Sequence, residues 1–220
     1  MEFFDLNFVS QFGEVKSIIH IGAHHAQERI EYAEFGVPSV IWIEAHPDFA
    51  EVMKENLIPY QNQYGFDACL SSCDGEDVDF WITADEWASS LLVPYLHQTF
   101  HPEALVTGKI KLKTITFQTF WKELEDENHP SLNSFEYNYL TIDTQGSELE
   151  IMRGMGDMLA YFDFVCTEYS TIEWYHNGPQ LEDLTEILES FNFEMVYPKV
   201  PIAHGDALFV KKRISRRGYK

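Results

Sequence analysis

Cysteine is scarce in this sequence. The 220 residues include three, Cys69, Cys73 and Cys166. An odd number without the paired spacing of metal ligands predicts neither a disulfide framework nor a zinc finger. Long apolar runs are also lacking, because no stretch approaches the roughly 18 residues of a membrane span. The first residues show no basic segment followed by an apolar one, so we expect no signal peptide and a reducing, cytoplasmic location.

Basic residues are also few. Lys and Arg number 15 against 36 Asp and Glu, which gives a formal net charge of −21. Six of the 15 basic residues lie in 211–220, where there is no acid, so 1–210 is even more acidic. Such a body repels nucleic-acid phosphates and anionic lipid, and we expect neither partner. It suits a neutral or cationic small molecule, and we expect 211–220 to be a solvated basic tail.

The hydrophobic content is sufficient for a folded core. Hydrophobic residues make up 45% of the chain and aromatic residues 15%, which excludes wholesale disorder. A chain of this length fits one domain, and we assign 1–210 to it. The sequence leaves open whether the protein forms a homodimer.

A strand–turn–helix unit lies near the start of the chain. Residues 15–21 are apolar and β-branched, which predicts a buried strand, and the pattern of 27–36 predicts a helix. Gly22 and Ala23 lie between them. Residues this small let a nucleotide-like ligand approach the backbone closely.

A second predicted strand, 40–45, carries an acid at its end. Glu44 lies 22 residues after Gly22. A carboxylate about 20 residues beyond the glycine turn is typical of a site that binds the two hydroxyls of a ribose. An ordinary strand–helix–strand unit with a surface glutamate is the alternative.

The rest of the chain alternates in the same way. We predict further strands at 66–70, 78–82, 109–117, 139–143, 162–168, 193–197 and 207–210. We predict further helices at 46–56, 147–161 and 181–191, and one more that follows the strand 109–117 and ends at about 126. Asp74-Gly75 indicates a hairpin, and 128–138 a surface loop. Residues 84–138 interrupt the alternation between the third and fourth core strands. We expect this insertion to cover the carboxyl ends of the strands on the acceptor side and to exclude water.

Acids end three of the predicted strands, at Glu44, Asp143 and Glu168. The carboxyl ends of parallel strands meet at one edge of a doubly wound sheet, where ligands bind near the point at which strand order reverses. Each acid alone could instead cap the helix that follows it. The same edge collects His20, Gly22, His24, His25, His46 and Gln145.

Several motifs accompany this pattern: Ile21-Gly-Ala-His24, Val40-Ile-Trp-Ile-Glu44-Ala45, Ser89-Ser-Leu91, Leu140-Thr-Ile-Asp143-Thr-Gln145-Gly146-Ser-Glu148-Leu149 and Met152-Arg-Gly154. With them the sequence resembles the FkbM family of S-adenosylmethionine-dependent O-methyltransferases, from about residue 15 to 211. The segment Ile-Asp-x-Gln-Gly-x-Glu-Leu is the most specific of these motifs.

The resemblance implies both a fold and a reaction. The fold is α/β and Rossmann-like, of the class I methyltransferase type, with a doubly wound seven-stranded sheet and an antiparallel terminal strand. The reaction transfers a methyl group from S-adenosylmethionine to a hydroxyl of a sugar, glycan or secondary metabolite and leaves S-adenosylhomocysteine. The predicted cofactor-binding residues are His20, Gly22, Ala23, Glu44, Ala45, Ser71, Asp143 and Gln145.

A sugar hydroxyl needs a base to take its proton during methyl transfer. Asp143, at a strand end, is our first candidate for this base. His24 and His25 are the next candidates, because an imidazole titrates nearer to neutral pH. We expect Glu148 to be an acid at the N-terminus of a helix and not a catalyst.

A metal-assisted enzyme is one alternative. His20, His24, His25, His46, Asp143 and Glu168 offer nitrogen and oxygen ligands for a divalent ion. The adjacency of His24 and His25 is awkward for binding one ion, so we do not assign a metal to the site.

A non-catalytic binding module of methyltransferase type is the other alternative. It is motivated by His20, where many family members have Asp, and by Ala26, where a second glycine is usual. The presence of Glu44 and Asp143 argues against it.

Overall fold

Ten strands and six α-helices make up the part of the chain that the computed structural model describes, which is residues 5–95, 105–133 and 136–213. The strands are β1 (Ser17–Ile21), β2 (Val40–Glu44), β3 (Gln63–Asp67), β4 (Cys69–Leu70), β5 (Asp77–Thr83), β6 (Val106–Ile115), β7 (Tyr137–Ile142), β8 (Phe164–Ser170), β9 (Phe193–Tyr197) and β10 (His204–Lys211). The helices are α1 (Leu6–Val9), α2 (Arg29–Phe35), α3 (Pro47–Leu57), α4 (Phe117–Asp126), α5 (Glu148–Met155) and α6 (Leu181–Ser190).

Seven of the strands form one sheet, in the order β3-β2-β1-β7-β8-β10-β9. β3, β2, β1, β7 and β8 pair in parallel, whereas β10 is antiparallel to both of its neighbours. The order reverses between β1 and β7, which is where a doubly wound sheet opens a crevice for a ligand. The predicted α/β fold class, with its antiparallel terminal strand, is confirmed.

The two faces of β1 and β2 belong to two different cores. Every residue of both strands is buried, as is usual for parallel strands covered by helices on both faces. Side chains alternate between the faces. Ile19 and Ile41 therefore pack in one core, and Ile18 and Trp42 in the other. Because His20 lies two residues after Ile18, its ring points to the same face of the sheet as Ile18 and Trp42.

The hairpin predicted at Asp74-Gly75 is wrong. Gly75 does adopt a turn conformation, with φ 76°, but β4 and β5 do not pair with each other. Both pair with β6, which lies between them in a second, three-stranded sheet. The Asp74 carboxylate instead binds the start of α4, where it accepts bonds from Thr116 N at 2.6 Å and Thr119 Oγ1 at 2.8 Å. The turn thus positions a helix cap.

Several predicted boundaries also shift. The strand predicted at 66–70 divides into β3 and β4, and the predicted helix 147–161 ends at Met155. Gly156, with φ 51°, stops that helix, and a 3-10 helix follows over Gly156–Tyr161. The predicted strand 162–168 continues to Ser170, and the predicted loop 128–138 contains a 3-10 helix, Pro130–Leu132.

The insertion 84–138 divides between two environments. Its second half includes α4, whose Phe117, Phe120 and Leu124 pack in the core beside Ile19. Its first half leads from β5 through a 3-10 helix at Glu86–Ala88 toward the carboxyl edge of the main sheet. Residues 96–104 and 134–135 of the insertion lie outside the described residues.

Lys211, the first residue of the predicted basic tail, is not solvated as we expected. Lys211 is the last residue of β10 and is buried, and its Nζ donates to Ala160 O at 3.0 Å. Arg213 binds Asp163 at 2.9 Å. Residues 214–220 lie outside the described residues. Among the helices that are described, none is long and apolar enough to cross a membrane.

Candidate functional site

A cleft opens at the carboxyl ends of β1, β2 and β7, and its empty space, which includes open solvent, is about 790 Å³. The turns after the three strands form its floor, and the first half of the insertion forms part of its rim. Of the residues predicted for the site, those that line it are His20, Gly22, Ala23, His24, Glu44, Ala45, Asp143 and Gln145.

The turn after β1 is tied to both neighbouring strands. The N–H groups of Gly22 and Ala23 donate to Ile43 O at 2.9 and 3.1 Å, and Asp143 N donates to Ile21 O at 2.9 Å. Gly22 has φ 83°, and a Cβ built on it would lie 1.7 Å from the carbonyl oxygen of Asp143. Only glycine fits this position, because it lets the turn at the cleft floor pack directly against the backbone of Asp143.

We expect Gly22→Ala to destabilise the protein more than Gly36→Ala. Both glycines have φ near 84°, but nothing lies within 4 Å of a Cβ on Gly36. Gly36→Ala should therefore cost only the left-handed backbone penalty of about 1–2 kcal/mol. The clash with Asp143 should add roughly 1–3 kcal/mol for Gly22→Ala. Urea unfolding measures both losses, and equal losses would contradict the close approach of Gly22 to Asp143.

Glu44 holds the loops on either side of it. Its Oε2 accepts from His24 N at 2.8 Å, and its Oε1 accepts from His46 N at 2.8 Å. Burial raises the pKa of this carboxyl, and these amide bonds oppose the rise. The two carboxylate oxygens offer about four acceptor positions, and the amides of His24, His46 and Ala45 do not use all of them, so the carboxylate can also accept from a ligand in the cleft.

Gln145 connects the strand ends to the cover of the cleft. Its Nε2 donates to Asp143 Oδ1 at 3.0 Å and to Glu168 Oε1 at 2.9 Å, and its Oε1 accepts from the Tyr175 hydroxyl at 2.7 Å. Its carbonyl accepts from Ser90 Oγ of the insertion at 2.6 Å. This residue has φ 58°, which is uncommon without glycine. The network fixes the orientation of the Asp143 carboxyl.

Burial raises the pKa of several acids around Gln145. Burial, followed by neighbouring carboxyl groups, holds the pKa of Asp143 well above its ordinary value; those neighbours are Glu168, Asp206 and Glu148. The pKa of Glu168 is raised well above its ordinary value for the same reasons, burial first. Glu168 does not line the main cleft; with His204, whose Nε2 lies 3.0 Å from Glu168 Oε1, it lines a smaller cavity behind Gln145.

We expect Asp206→Asn to raise the melting temperature more at pH 8 than at pH 4.5. Burial raises the pKa of Asp206 to about 6 from 3.8, partly offset by His204. A raised carboxyl pKa stabilises the fold below the unfolded value and loses that contribution as pH rises through 6. An asparagine side chain is neutral at both pH values, so the variant does not lose stability as the pH rises. Thermal melts of Asp206→Asn and of the exposed control Asp157→Asn at both pH values test this. A difference from wild type that does not vary with pH would contradict it.

Glu148 has the helix-terminal role that we predicted. It is the first residue of α5 and is buried. Its Oε1 accepts bonds from Thr144 N at 2.9 Å, Thr144 Oγ1 at 3.1 Å and Gly146 N at 3.1 Å. The carboxylate therefore fixes the turn that carries Gln145.

The ring of His20 packs in the core. The residue is 1% exposed, its ring stacks on Trp42 at 4.7 Å, and its Nδ1 lies 3.1 Å from the Tyr32 hydroxyl. Burial lowers its pKa to about 3. His20 is thus a neutral core residue beneath the cleft, and it does not join the other predicted metal ligands.

His24 and His25 lie together at the mouth of the cleft. Their ring centroids are 3.9 Å apart, and His24 also stacks on Trp87 at 4.5 Å and contacts Phe49 at 4.6 Å. Burial, and then the nearby His25 and His46, lower the pKa of His24 to about 4. Of the two, His24 lines the cleft, whereas the ring of His25 packs behind it against Phe49.

Ser71 lies apart from the other predicted cofactor residues. Its N–H donates to Ile115 O at 3.0 Å, its carbonyl lies against Gly154, and it lines a separate cavity. Ala68 N donates to Glu44 O at 3.0 Å, which ends β3 earlier than we predicted. Residues 68–70 therefore line the cleft in the place expected for Ser71.

The cleft has further lining residues that were not assigned to the site from the sequence. Phe49 and Trp87 add aromatic walls, and Gln27 and Glu28 add polar ones. Burial raises the pKa of Glu28 to about 7. The helical pattern around Glu28 is typical of an ordinary surface helix, so it did not single out this residue. Trp87 lies in an insertion without clear periodicity, so the pattern did not indicate which way its side chain points.

The mostly parallel seven-stranded sheet, its antiparallel β10 and the cleft beside β1 define a fold of the class I methyltransferase type. The family model described as the methyltransferase FkbM domain matches residues 20–195. The chain therefore belongs to the FkbM methyltransferase family, and the resemblance stated from its motifs is confirmed.

Two relatives illustrate the similarity. The 2-O-methyltransferase NoeI of Sinorhizobium fredii is 23% identical over 190 residues, which cover 83% of this chain and 74% of NoeI. The crystal structure of methyltransferase FkbM from Methylobacillus flagellatus KT matches with a TM-score of 0.55 and 12% identity over 89% of this chain. This chain spans only 43% of that structure. At such identity the structural match shows the fold alone.

Proposed function

We propose that this protein is an S-adenosylmethionine-dependent O-methyltransferase that acts on a hydroxyl of a sugar, glycan or secondary metabolite. One observation carries the proposal: in a chain of the FkbM family, a glycine turn and a buried carboxylate border one cleft at the strand ends. Gly22 lets the turn pack against the backbone of Asp143 at the cleft floor, and the two oxygens of Glu44 fix the loops on either side.

The residues of the cleft suit each part of this cofactor. Glu44 would accept hydrogen bonds from the two ribose hydroxyls. Ala45, Phe49 and residues 68–70 supply apolar surface for an adenine ring. The acidic side chains around Gln145 favour the binding of a cation, and the sulfonium group of S-adenosylmethionine carries a positive charge. When bound, the cofactor supplies an electrophilic methyl group.

Asp143 is our candidate for the base. It lines the cleft, and Gln145 holds its carboxyl in place. In the free protein, burial and the neighbouring carboxyl groups hold the pKa of Asp143 high, which favours the protonated form. A positive charge in the cleft favours the ionised form instead. The Asp143 carboxylate would then take the acceptor hydroxyl's proton as the oxygen bonds to the methyl carbon.

The first half of the insertion would exclude water from the reaction. Ser90 anchors it to Gln145, and Glu86, Trp87 and Leu91 line the cleft. Covering a site in this way strengthens the electrostatic interactions inside it. We assign this segment to the acceptor side of the cleft, because Ser90 joins it to Gln145, which holds the Asp143 carboxyl.

A neutral hydroxyl compound is the acceptor class that we favour. The strong negative charge of the body disfavours a phosphorylated or nucleic-acid acceptor. The name of the relative NoeI, a 2-O-methyltransferase, supports a hydroxyl oxygen as the methylated atom.

Mass spectrometry with S-adenosylmethionine and a panel of simple glycans tests the proposal. We expect a product heavier by the mass of one CH₂ group, and S-adenosylhomocysteine in equal amount. A thermal-shift assay with S-adenosylhomocysteine distinguishes a wrong panel from a wrong function. Stabilisation by that nucleoside supports a cofactor site. If it leaves the melting temperature unchanged, the non-catalytic module is favoured instead.

A further inference from the structure

Three side chains at the mouth of the cleft can bind one metal ion. His24, His25 and Glu86 each offer a ligand atom, and these atoms all lie within 4.8 Å of one another. We propose that His24, His25 and Glu86 form a site for a divalent transition-metal ion of the Zn²⁺ class. Two imidazole nitrogens and one carboxylate oxygen favour such ions over Mg²⁺ or Ca²⁺, which prefer oxygen ligands alone.

The backbone at His24 explains how neighbouring residues serve one ion. In an extended chain, successive side chains point to opposite sides. His24 has φ 46°, in the left-handed region. This turn brings the rings of His24 and His25 to the same side, with their centroids 3.9 Å apart. The objection that adjacent histidines cannot share an ion does not hold for this conformation.

The ring of His24 has one nitrogen held and one available. Its Nδ1 lies 2.7 Å from Gln27 Nε2. The oxygen and nitrogen of an amide are interchangeable in shape, so Gln27 can turn its oxygen to accept a proton from Nδ1. The lone pair is then on Nε2, as in metal sites whose histidine is oriented by an outer partner. Nε2 is buried without a hydrogen-bond partner among the described residues and lies 3.8 Å from Glu86 Oε2.

Binding of an ion requires the three ligand atoms to come closer together. Tetrahedral ligands about 2.1 Å from an ion lie roughly 3.4 Å apart, whereas these atoms lie within 4.8 Å of one another. The Glu86 side chain is 59% exposed and can move inward, and the rings of His24 and His25, whose centroids are 3.9 Å apart, must open until both lone pairs point at the ion. Two histidines and one glutamate leave a fourth position open, which is the pattern of catalytic rather than structural zinc sites.

An ion held there would lie beside the cleft, because His24 and Glu86 both line it. An ion there would bind an acceptor hydroxyl directly and lower its pKa. This role rests on the proposed function, whereas binding of the metal does not.

Binding of Co²⁺ to the untagged, chelator-treated full chain tests the site, because bound Co²⁺ is visible by its absorption spectrum. We expect one ion per chain, with the affinity reduced about tenfold or more by His25→Gln or by Glu86→Gln. His24→Asn, which suits the left-handed backbone, should weaken binding similarly. The matched control is His176→Gln, since His176 is an exposed histidine 3.5 Å from Glu173 but without a second imidazole.

The outcomes separate the metal site from the proposed function. Absence of saturable Co²⁺ binding, or an affinity unchanged in both His25→Gln and Glu86→Gln, would overturn the site. An equal loss of Co²⁺ affinity in the control His176→Gln would also overturn the site. Calorimetry with S-adenosylhomocysteine is run on the metal-free protein. If the nucleoside binds and Co²⁺ does not, the proposed function stands and the metal site is overturned. If Co²⁺ binds and the nucleoside does not, the metal site stands and the proposed function is overturned.

Discussion

Asp143→Asn is expected to lower the turnover number by about 10²-fold or more, the usual contribution of a general base, while leaving the affinity for S-adenosylhomocysteine nearly intact. Asparagine has the same shape, and its oxygen can still accept the bond that Gln145 donates at 3.0 Å. Unlike a carboxylate, the asparagine amide cannot take the proton of the acceptor hydroxyl at neutral pH. The measurement is the turnover number at saturating acceptor, beside calorimetry of the nucleoside.

The exposed acid Asp126 provides the matched control. It ends α4 and does not line the cleft, so Asp126→Asn removes the same charge without touching the site. We expect it to retain full turnover. Full turnover in Asp143→Asn would instead remove Asp143 from the role of base, and His24 and His25 would become the candidates.

Glu44→Gln is expected to weaken S-adenosylhomocysteine binding by about 10- to 100-fold, because hydrogen bonds to a charged group contribute about 1.5–3 kcal/mol. Glutamine keeps one acceptor, but its NH₂ group would face either a ribose hydroxyl or one of the amides of His24 and His46. Calorimetry of the nucleoside gives the change in affinity.

Two comparisons make the Glu44 result specific. Glu34→Gln removes one negative charge from an exposed position on α2 and should leave the affinity unchanged. Thermal melts of the unliganded Glu44→Gln protein show whether the two loops stay in place. An unchanged affinity in a folded Glu44→Gln protein would show that the ribose is not held there.

The strand–turn–helix core could be predicted from local patterns. Continuous apolar runs fix β1 and β2 as buried parallel strands, and Gly22 stands where a Cβ would meet a backbone carbonyl. The spacing to Glu44 is set by one helix and one strand of ordinary length. These features depend on short stretches of chain, and the resemblance to the family added the seven-stranded sheet with its antiparallel terminal strand.

Long-range contacts could not be predicted in this way. The bond from Ser90 to Gln145 joins residues 55 positions apart, and the bond from Gln145 to Glu168 spans 23. The position of His20 shows a different limit. Its place at a strand end suggested a ligand, but the alternation of side chains turns its ring toward Trp42 and away from the other histidines.

The shift from Ser71 to residues 68–70 has a simple cause. An apolar stretch from 66 to 70 reads as one strand, and only the hydrogen bond from Ala68 to Glu44 and the pairing of β4 with β6 divide it. The lining residues on this side of the cleft are therefore 68–70, one to three positions before the residue that the sequence pattern predicts.

A crystal structure of the chain with S-adenosylhomocysteine is the most direct measurement of the cofactor site. We expect the two ribose hydroxyls within about 2.6–3.2 Å of the Glu44 oxygens and the sulfur on the side of Asp143. A nucleoside bound away from the turn at Gly22, or no nucleoside in crystals of folded protein soaked at saturating concentration, would contradict the proposed function.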